Sequence, residues 1–268
     1  MTLNERARRL RALHDDLLVL PNVWDAASAQ VVADAGATAI ATGSAGVAWS
    51  LGLPDGQKIS RSAMAEAVAR ITAVVDLPVT ADIEGGYGPA PDDVAATVTE
   101  IIRAGAVGIN LEDGPAPLFD VEAQAARIRA ARDAADAAGV PDFFINARTD
   151  VHLYQVGDLA GRPAEVLARA RVYAAAGGDC LFVPGLLDLA ALETLVAASP
   201  LPVNVLAKPD GPTVKELATV GVRRMSLGGS LMLATYAAAH RAAKELLANG
   251  TYDAFPDDSA ARAVLARF

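Results

Sequence analysis

A single cysteine in 268 residues leaves an internal disulfide without a partner and rules out a CxxC metal or redox centre. That residue, Cys180, sits in the apolar run CLFVP, the setting of a buried structural thiol rather than a nucleophile. Its isolation suits a reducing, cytoplasmic compartment. Basic blocks are missing as well: 23 Lys and Arg face 32 Asp and Glu, for a net charge of −9. Neither nucleic acid nor an anionic membrane surface is therefore an expected partner. No apolar stretch approaches the roughly 18 residues of a membrane span. The arginines of the opening MTLNERARRLRALHDD are followed by no apolar segment, so no export signal is expected. GxSxG, Walker and GxGxxG patterns are absent, and His14, His152 and His240 form no zinc-type pair.

What the chain does contain is a repeat of short apolar runs followed by Ala-rich stretches of helical periodicity. The strand candidates are 17–21, 39–43, 78–84, 108–113, 143–148, 180–185, 202–207 and 224–229. Small-residue signals such as RAGAV and AAGG end the helices just before the next strand, where Gly accepts a left-handed cap. Eight such units without a Gly/Ser/Pro linker predict one (β/α)₈ TIM-type barrel over residues 1–268. Residues 230–249 read as the eighth helix and 257–267 as an extra C-terminal helix, so 230–268 is surplus available for oligomer contacts. Trp24 is expected to pack the base of the first loop. The run AARIRAARDAADAA reflects helix propensity alone.

Active sites of such barrels lie at the carboxyl ends of the strands. The polar residues predicted there are Ser44, Asp55, Asp82, Glu84, Glu112, Asp113, Asn146, Arg148, Asp150 and Asn204. Strand alternation puts Asp82 and Glu84 on one face with Ile83 on the other, pairs Asn110 with Glu112, and pairs Asn146 with Arg148. Converging acids repel unless a cation compensates them, and hard oxygen donors favour Mg²⁺ or Mn²⁺. Asp92, Asp113 and Asp150 read as acids that cap helices and bond loop amides. Gly85, Gly86 and Gly88 after Glu84 let backbone approach a ligand. Arg148 is a partner for the acids, a clamp for a substrate carboxylate, or both. His152 is a candidate acid or base, and LGGS at 227–230 lies where barrels often bind phosphate, although a Gly pair is weak support.

Five segments in order, LPNVWDAASA, TGSAGVAWSLGLPDG, ADIEGGYG, GINLEDG and NARTD, make the chain resemble the isocitrate lyase/phosphoenolpyruvate mutase superfamily over nearly its whole length. The resemblance implies a barrel whose C-terminal helix is swapped between subunits of a homodimer or homotetramer, with one Mg²⁺ per site stabilising a pyruvate-type enolate. It implies Asp82 as direct metal ligand and Asp55, Glu84 and Glu112 as holders of the metal's waters. Ser44 and Ala45 would offer backbone amides to a substrate carboxylate, Arg148 would neutralise the developing enolate, and Asn204 would reach the distal part of the substrate. Glu84, Glu112 and Arg148 are thus the expected catalytic set.

One segment departs from that pattern. Where isocitrate-cleaving members carry KxCGH and phosphonate-processing members a Lys-x-Asn loop, this chain has DGPAPLFDVEAQ, without Cys, Lys, His or Asn. The expected function is a Mg²⁺-dependent carbon–carbon lyase acting on a small 2-oxo acid or its dicarboxylate or tricarboxylate adduct. The alternatives are a P–C mutase or hydrolase on a phosphonopyruvate-like substrate, a non-catalytic 2-oxo acid binder, and an aldolase of another pyruvate-handling barrel.

Overall fold

The computed structural model describes residues 1–255 and 257–268; Pro256, inside the predicted 230–268 segment, lies outside the described residues. Nine parallel strands run β1 Leu18–Leu20, β2 Asn22–Val23, β3 Ile40–Thr42, β4 Val79–Asp82, β5 Gly108–Glu112, β6 Phe144–Arg148, β7 Cys180–Phe182, β8 Val203–Leu206 and β9 Arg224–Ser226. Their order, β1-β9-β8-β7-β6-β5-β4-β3-β2, is that of an eight-stranded barrel whose first strand is cut in two. The cut is Pro21, which has no N–H for the ladder. Leu18–Leu20 pairs with β9 and Asn22–Val23 with β3. Asn22 closes the seam by accepting the amides of Leu227 and Gly228, both at 2.8 Å.

The helices between the strands are α1 Leu3–Ala12, α2 Ala26–Asp34, α3 Ser44–Ser50, α4 Arg61–Thr72, α5 Pro91–Arg103, α6 Val121–Ala137, α7 Arg162–Ala175, α8 Leu189–Ala198, α9 Val214–Thr219, α10 Ser230–Asn249 and α11 Ser259–Leu265. Asp25, Ser60, Asp188 and Thr213 cap α2, α4, α8 and α9 through their side chains. Gly105 and Gly177 follow α5 and α7 at φ +95° and +99°, the left-handed stop that RAGAV and AAGG predict. Residues of β4 and β5 are buried on both faces, as covered parallel strands require.

One feature differs from the sequence expectation. Helix α1, absent from that reading, starts in a Thr2/Glu5 capping box and closes the amino end of the barrel, with His14 just beyond it stacked on Phe144 at 4.0 Å. Helix α10 leaves the barrel: only Met232 and Ala242 are buried, while Leu233, Tyr236 and Leu247 are exposed. The shorter α11 returns to α2 with Val264 buried and Arg267 2.7 Å from Asp34. No helix among the described residues is long and apolar enough to cross a membrane.

Candidate active site

Three neighbouring strands end in charged residues: β4 in Asp82, β5 in Glu112 and β6 in Arg148. Parallel register sets Asp82 beside Asn110 and Glu112 beside Arg148, so adjacent side chains share the inner face. Asp82 Oδ2 accepts the amide of Ser44 at 3.2 Å, tying the start of α3 to β4. Glu84 does not follow by strand alternation. It lies past the end of β4 at φ +51°, in a turn closed by Gly86 N–H donating to Ile83 O at 2.8 Å. Its carboxylate still turns inward and accepts the backbone N–H of Gln57, while the Tyr87 amide donates to Gln57 Oε1 at 3.0 Å. Those two bonds hold the exposed 51–58 loop, and Asp55 with it, beside the acids.

Burial and crowding dominate the electrostatics. Burial, then Asp82 and Asp55, raises the Glu84 carboxyl to about 7, against the N–H of Gln57 and the charge of Arg148. Burial also raises Glu112 to about 8, with Asp150, Asp82 and Glu84 adding to it and Arg148 opposing. Burial works against the charge on Arg148, but Glu112 and Asp150 outweigh it and hold the guanidinium above its ordinary value.

Arg148 is clamped. Nη1 lies 2.8 Å from Glu112 Oε2, Nε donates to Asp150 Oδ1 at 2.6 Å, and Nη2 donates to Asp150 Oδ2 at 3.2 Å. Of the five N–H donors of a guanidinium, the one on Nε and one on Nη2 are hydrogen-bonded, while Nη1 meets Glu112 as an ion pair, so N–H donors remain on both terminal nitrogens. Asp150 is itself fixed, its amide donating to Asp113 Oδ1 at 2.9 Å. The other Asp113 oxygen takes Arg169 Nη1 at 2.9 Å and Tyr173 OH at 2.8 Å. Of the reading that these acids cap helices and bond loop amides, Asp113 does bond a loop amide, that of Asp150, while neither it nor Asp150 caps a helix and together they form a buried relay that orients Arg148. Only Asp92 stays in the first turn of a helix, α5.

Ser44 opens α3 after Gly43, an N-cap with no side-chain acceptor, and Ala45 follows half-buried. Asn204 lies deeper, fully buried in β8, with neither amide atom hydrogen-bonded among the described residues. Beside it in register is Arg224, which sequence reasoning missed. Arg224 has no solvent exposure, donates to Asn110 Oδ1 at 3.1 Å and leaves Nε and Nη1 without partners among the described residues. The signal was present: Arg223 is exposed and Arg224 buried, the period-2 alternation of a strand. Tyr87 was missed too, and its buried hydroxyl has no partner among the described residues although Glu84, Asp82, Glu112 and Asp55 all bear on it.

Two candidates fall away. His152 lines an apolar groove between α7 and α8 with Pro163, Val166, Leu186 and Leu195. Burial and then the charge of Arg162 lower its pKa. The amides of Leu227 and Gly228 in LGGS are taken by Asn22, which removes them from phosphate binding.

Asp82, Glu84, Glu112 and Asp55 offer only hard oxygens, and their mutual repulsion is what a divalent cation would relieve. Among the described residues no three of them close onto a single point. The donor chemistry fits a cation, whereas the present contacts engage each buried acid with an N–H or a guanidinium.

The fold is a parallel (β/α)₈ barrel whose carboxyl rim gathers acids around one oriented arginine, and its relatives are lyases and mutases. The chain belongs to the phosphoenolpyruvate phosphomutase family, which it matches over residues 10–247, within the superfamily shared with isocitrate lyase. It is 51% identical to a solved Burkholderia cenocepacia J2315 protein provisionally described as a phosphonomutase, over 90% of this chain and 100% of that one, with a TM-score of 0.86. It is 33% identical to an oxaloacetate decarboxylase of Ectopseudomonas mendocina (strain ymp), over 84% of this chain and 78% of the relative. A solved oxaloacetate acetylhydrolase bound to its product oxalate is 28% identical over 98% of this chain and 93% of that one, with a TM-score of 0.86.

Proposed function

We propose that this protein is a Mg²⁺-dependent carbon–carbon lyase that acts on a small 2-oxo acid, or on its adduct, through an enolate. The observation that carries the reading is Arg148, held charged between Glu112 and Asp150 at the strand ends next to Asp82. A 2-oxo acid develops negative charge on its carbonyl oxygen as a C–C bond between its C3 carbon and a substituent there breaks. Preorganised donors facing that charge contribute most when they need not reorganise. Arg148, with a spare N–H on each terminal nitrogen, is such a donor.

Asp82, with Asp55, Glu84 and Glu112 around it, would hold Mg²⁺ (or Mn²⁺), and when bound the ion supplies Lewis-acid charge for the oxo acid. The amides of Ser44 and Ala45 face a substrate carboxylate once Asp82 releases the Ser44 N–H, and the unpaired amide of Asn204 serves the distal end of the substrate. Both similarity to an oxaloacetate decarboxylase and similarity to an oxaloacetate acetylhydrolase favour a four-carbon oxo acid as substrate. Burial of these polar groups excludes water, which strengthens each contact.

A P–C bond mutase or hydrolase is the second reading, favoured by the similarity to the provisionally described phosphonomutase. One panel decides: release of pyruvate, glyoxylate or phosphate from oxaloacetate, isocitrate, methylisocitrate and phosphonopyruvate, with and without Mg²⁺. Mg²⁺-dependent pyruvate release from oxaloacetate is expected, with isocitrate a poor substrate because the 114–120 loop lacks the general acid, a group worth about 10²- to 10⁴-fold. Phosphate release would move the assignment to P–C chemistry, and turnover of isocitrate at about 10 s⁻¹ would refute the loop argument.

A further inference from the structure

An enolate left by C–C cleavage must collect a proton, and most of the groups that might supply one are placed elsewhere. The segment Gly114–Asp120 contains only Gly, Pro, Ala, Leu, Phe and an aspartate that sits at the start of α6. His152 faces the α7/α8 groove. Cys180 is fully buried, and burial pushes its thiol up to about 12. Tyr87 has a hydroxyl sealed from solvent, so a phenolate formed there has no route to recover its proton.

Tyr154 stands differently. Its amide donates to Asp150 O at 2.9 Å, which fixes it one turn beyond the residue that orients Arg148. Gly185 is pressed against the backbone of His152 and Leu153, so a methyl group there would lie 2.9 Å from Leu153 N, and the loop is held from behind. A methyl group on Gly114 would sit 2.6 Å from Asp150 Oδ2 and 3.2 Å from Tyr154 Cε2. The edge of the Tyr154 ring and the carboxylate bound to Arg148 therefore meet over the first residue of the short loop. Tyr154 is 44% exposed, so the ring that meets Asp150 over Gly114 also meets bulk water. Burial raises its pKa, with Asp150, Glu112 and Asp55 adding to it and Arg148 opposing.

We propose that Tyr154 is the proton donor to the enolate carbon, standing where the short Gly114–Asp120 loop supplies none. The inference rests on the lyase reading above. In the step, the electron pair freed by C–C cleavage forms the new C–H bond with the phenolic proton, and the O–H bond breaks. The phenolate oxygen then takes a proton from bulk water. The reverse step, with the phenolate as base, exchanges the methyl hydrogens of a product such as pyruvate with solvent.

The experiment compares wild type with Tyr154→Phe, which keeps the ring and deletes one oxygen. Exchange of the pyruvate methyl in D₂O with Mg²⁺ is followed by proton NMR, and binding of oxalate with Mg²⁺ by calorimetry. Expected is wild-type exchange, its fall by about 10²- to 10⁴-fold in the variant, and oxalate affinity unchanged within about twofold. Exchange in the variant within about threefold of wild type overturns the assignment, as does loss of oxalate binding together with exchange, which would make Tyr154 a structural support. Wild-type turnover of oxaloacetate without methyl exchange also overturns it, while leaving the lyase reading in place. A wild type that neither binds oxalate nor turns over any oxo acid removes the lyase reading, and the donor role goes with it.

Discussion

Asp150 holds Arg148 by two bonds, Nε to Oδ1 at 2.6 Å and Nη2 to Oδ2 at 3.2 Å, so the guanidinium plane is set by a side chain two residues along the same segment. Asp150→Asn keeps the volume but turns one acceptor into a donor facing the guanidinium. We expect kcat to fall by about 10- to 100-fold, the range for losing an orienting partner. Arg148→Gln should cost more, because the charge itself is lost. Steady-state kinetics on the substrate found by the panel checks this, and an Asp150→Asn enzyme with wild-type kcat would show that Arg148 needs no orientation.

Asp82 carries the second prediction. EDTA treatment should abolish oxalate binding, and Mg²⁺ or Mn²⁺ should restore it. Asp82→Ala should lose several kcal/mol of metal-supplied stabilisation, that is at least about 10²-fold in activity, while retaining its circular-dichroism spectrum. Full oxalate affinity in metal-free wild type would give the four acids another task.

The pH dependence follows from Glu84 and Glu112, raised to about 7 and about 8 from an ordinary 4.5. Between those limits the folded, metal-free protein binds more protons than the unfolded chain, so stability falls as pH rises. His14, lowered to about 3 by burial first and Arg224 next, works in the opposite direction below its ordinary 6.5. The clean window is therefore above 6.5. Glu84→Gln, which can still accept the Gln57 amide, should raise the melting temperature relative to wild type at pH 8 and make no difference at pH 4.5. Mg²⁺ should stabilise wild type more at pH 8 than at pH 5, because the competing protons are gone. Thermal melts in EDTA and in Mg²⁺ across this range test both signs, and a Glu84→Gln protein less stable at pH 8 would contradict them.

Helix α10 is the basis for a prediction about assembly. Leu247 is 87% exposed, and Leu233 and Tyr236 are about half exposed on a helix that leaves its own barrel. A dimer or tetramer that buries this face is expected, with closed symmetry the usual outcome. Light scattering should give a multiple of 27.5 kDa, and Leu233→Asp with Leu247→Asp should lower it. A wild-type monomer at micromolar concentration would leave α10 without a partner.

Much of the architecture is legible from local chemistry. Alternating strand and helix periods, helix-ending glycines and residues with short polar caps act over a few positions, so the eight units and the places of Asp82, Glu112 and Arg148 at strand ends follow from the chain itself. Pro21 is equally local, yet its effect, a first strand split between two neighbours, needs the barrel to be closed around it. Glu84 marks where local reasoning stops. Alternation places it beside Asp82, and it does face the acids, but through a left-handed residue in a turn and the distant amide of Gln57.

What only tertiary structure decided is which charges meet. Asp113 and Asp150 look like helix caps in isolation, but 56 residues separate Asp113 from Arg169, and 114 separate Asn110 from Arg224. His152 and Tyr154 share one loop and were separable only once Gly185 and Gly114 showed what packs on either side. Secondary structure is dictated by backbone sterics and side-chain period, which are properties of neighbours in sequence. Ionisation and orientation are dictated by burial and by partners within a few ångströms in space, and closing the barrel is what creates both.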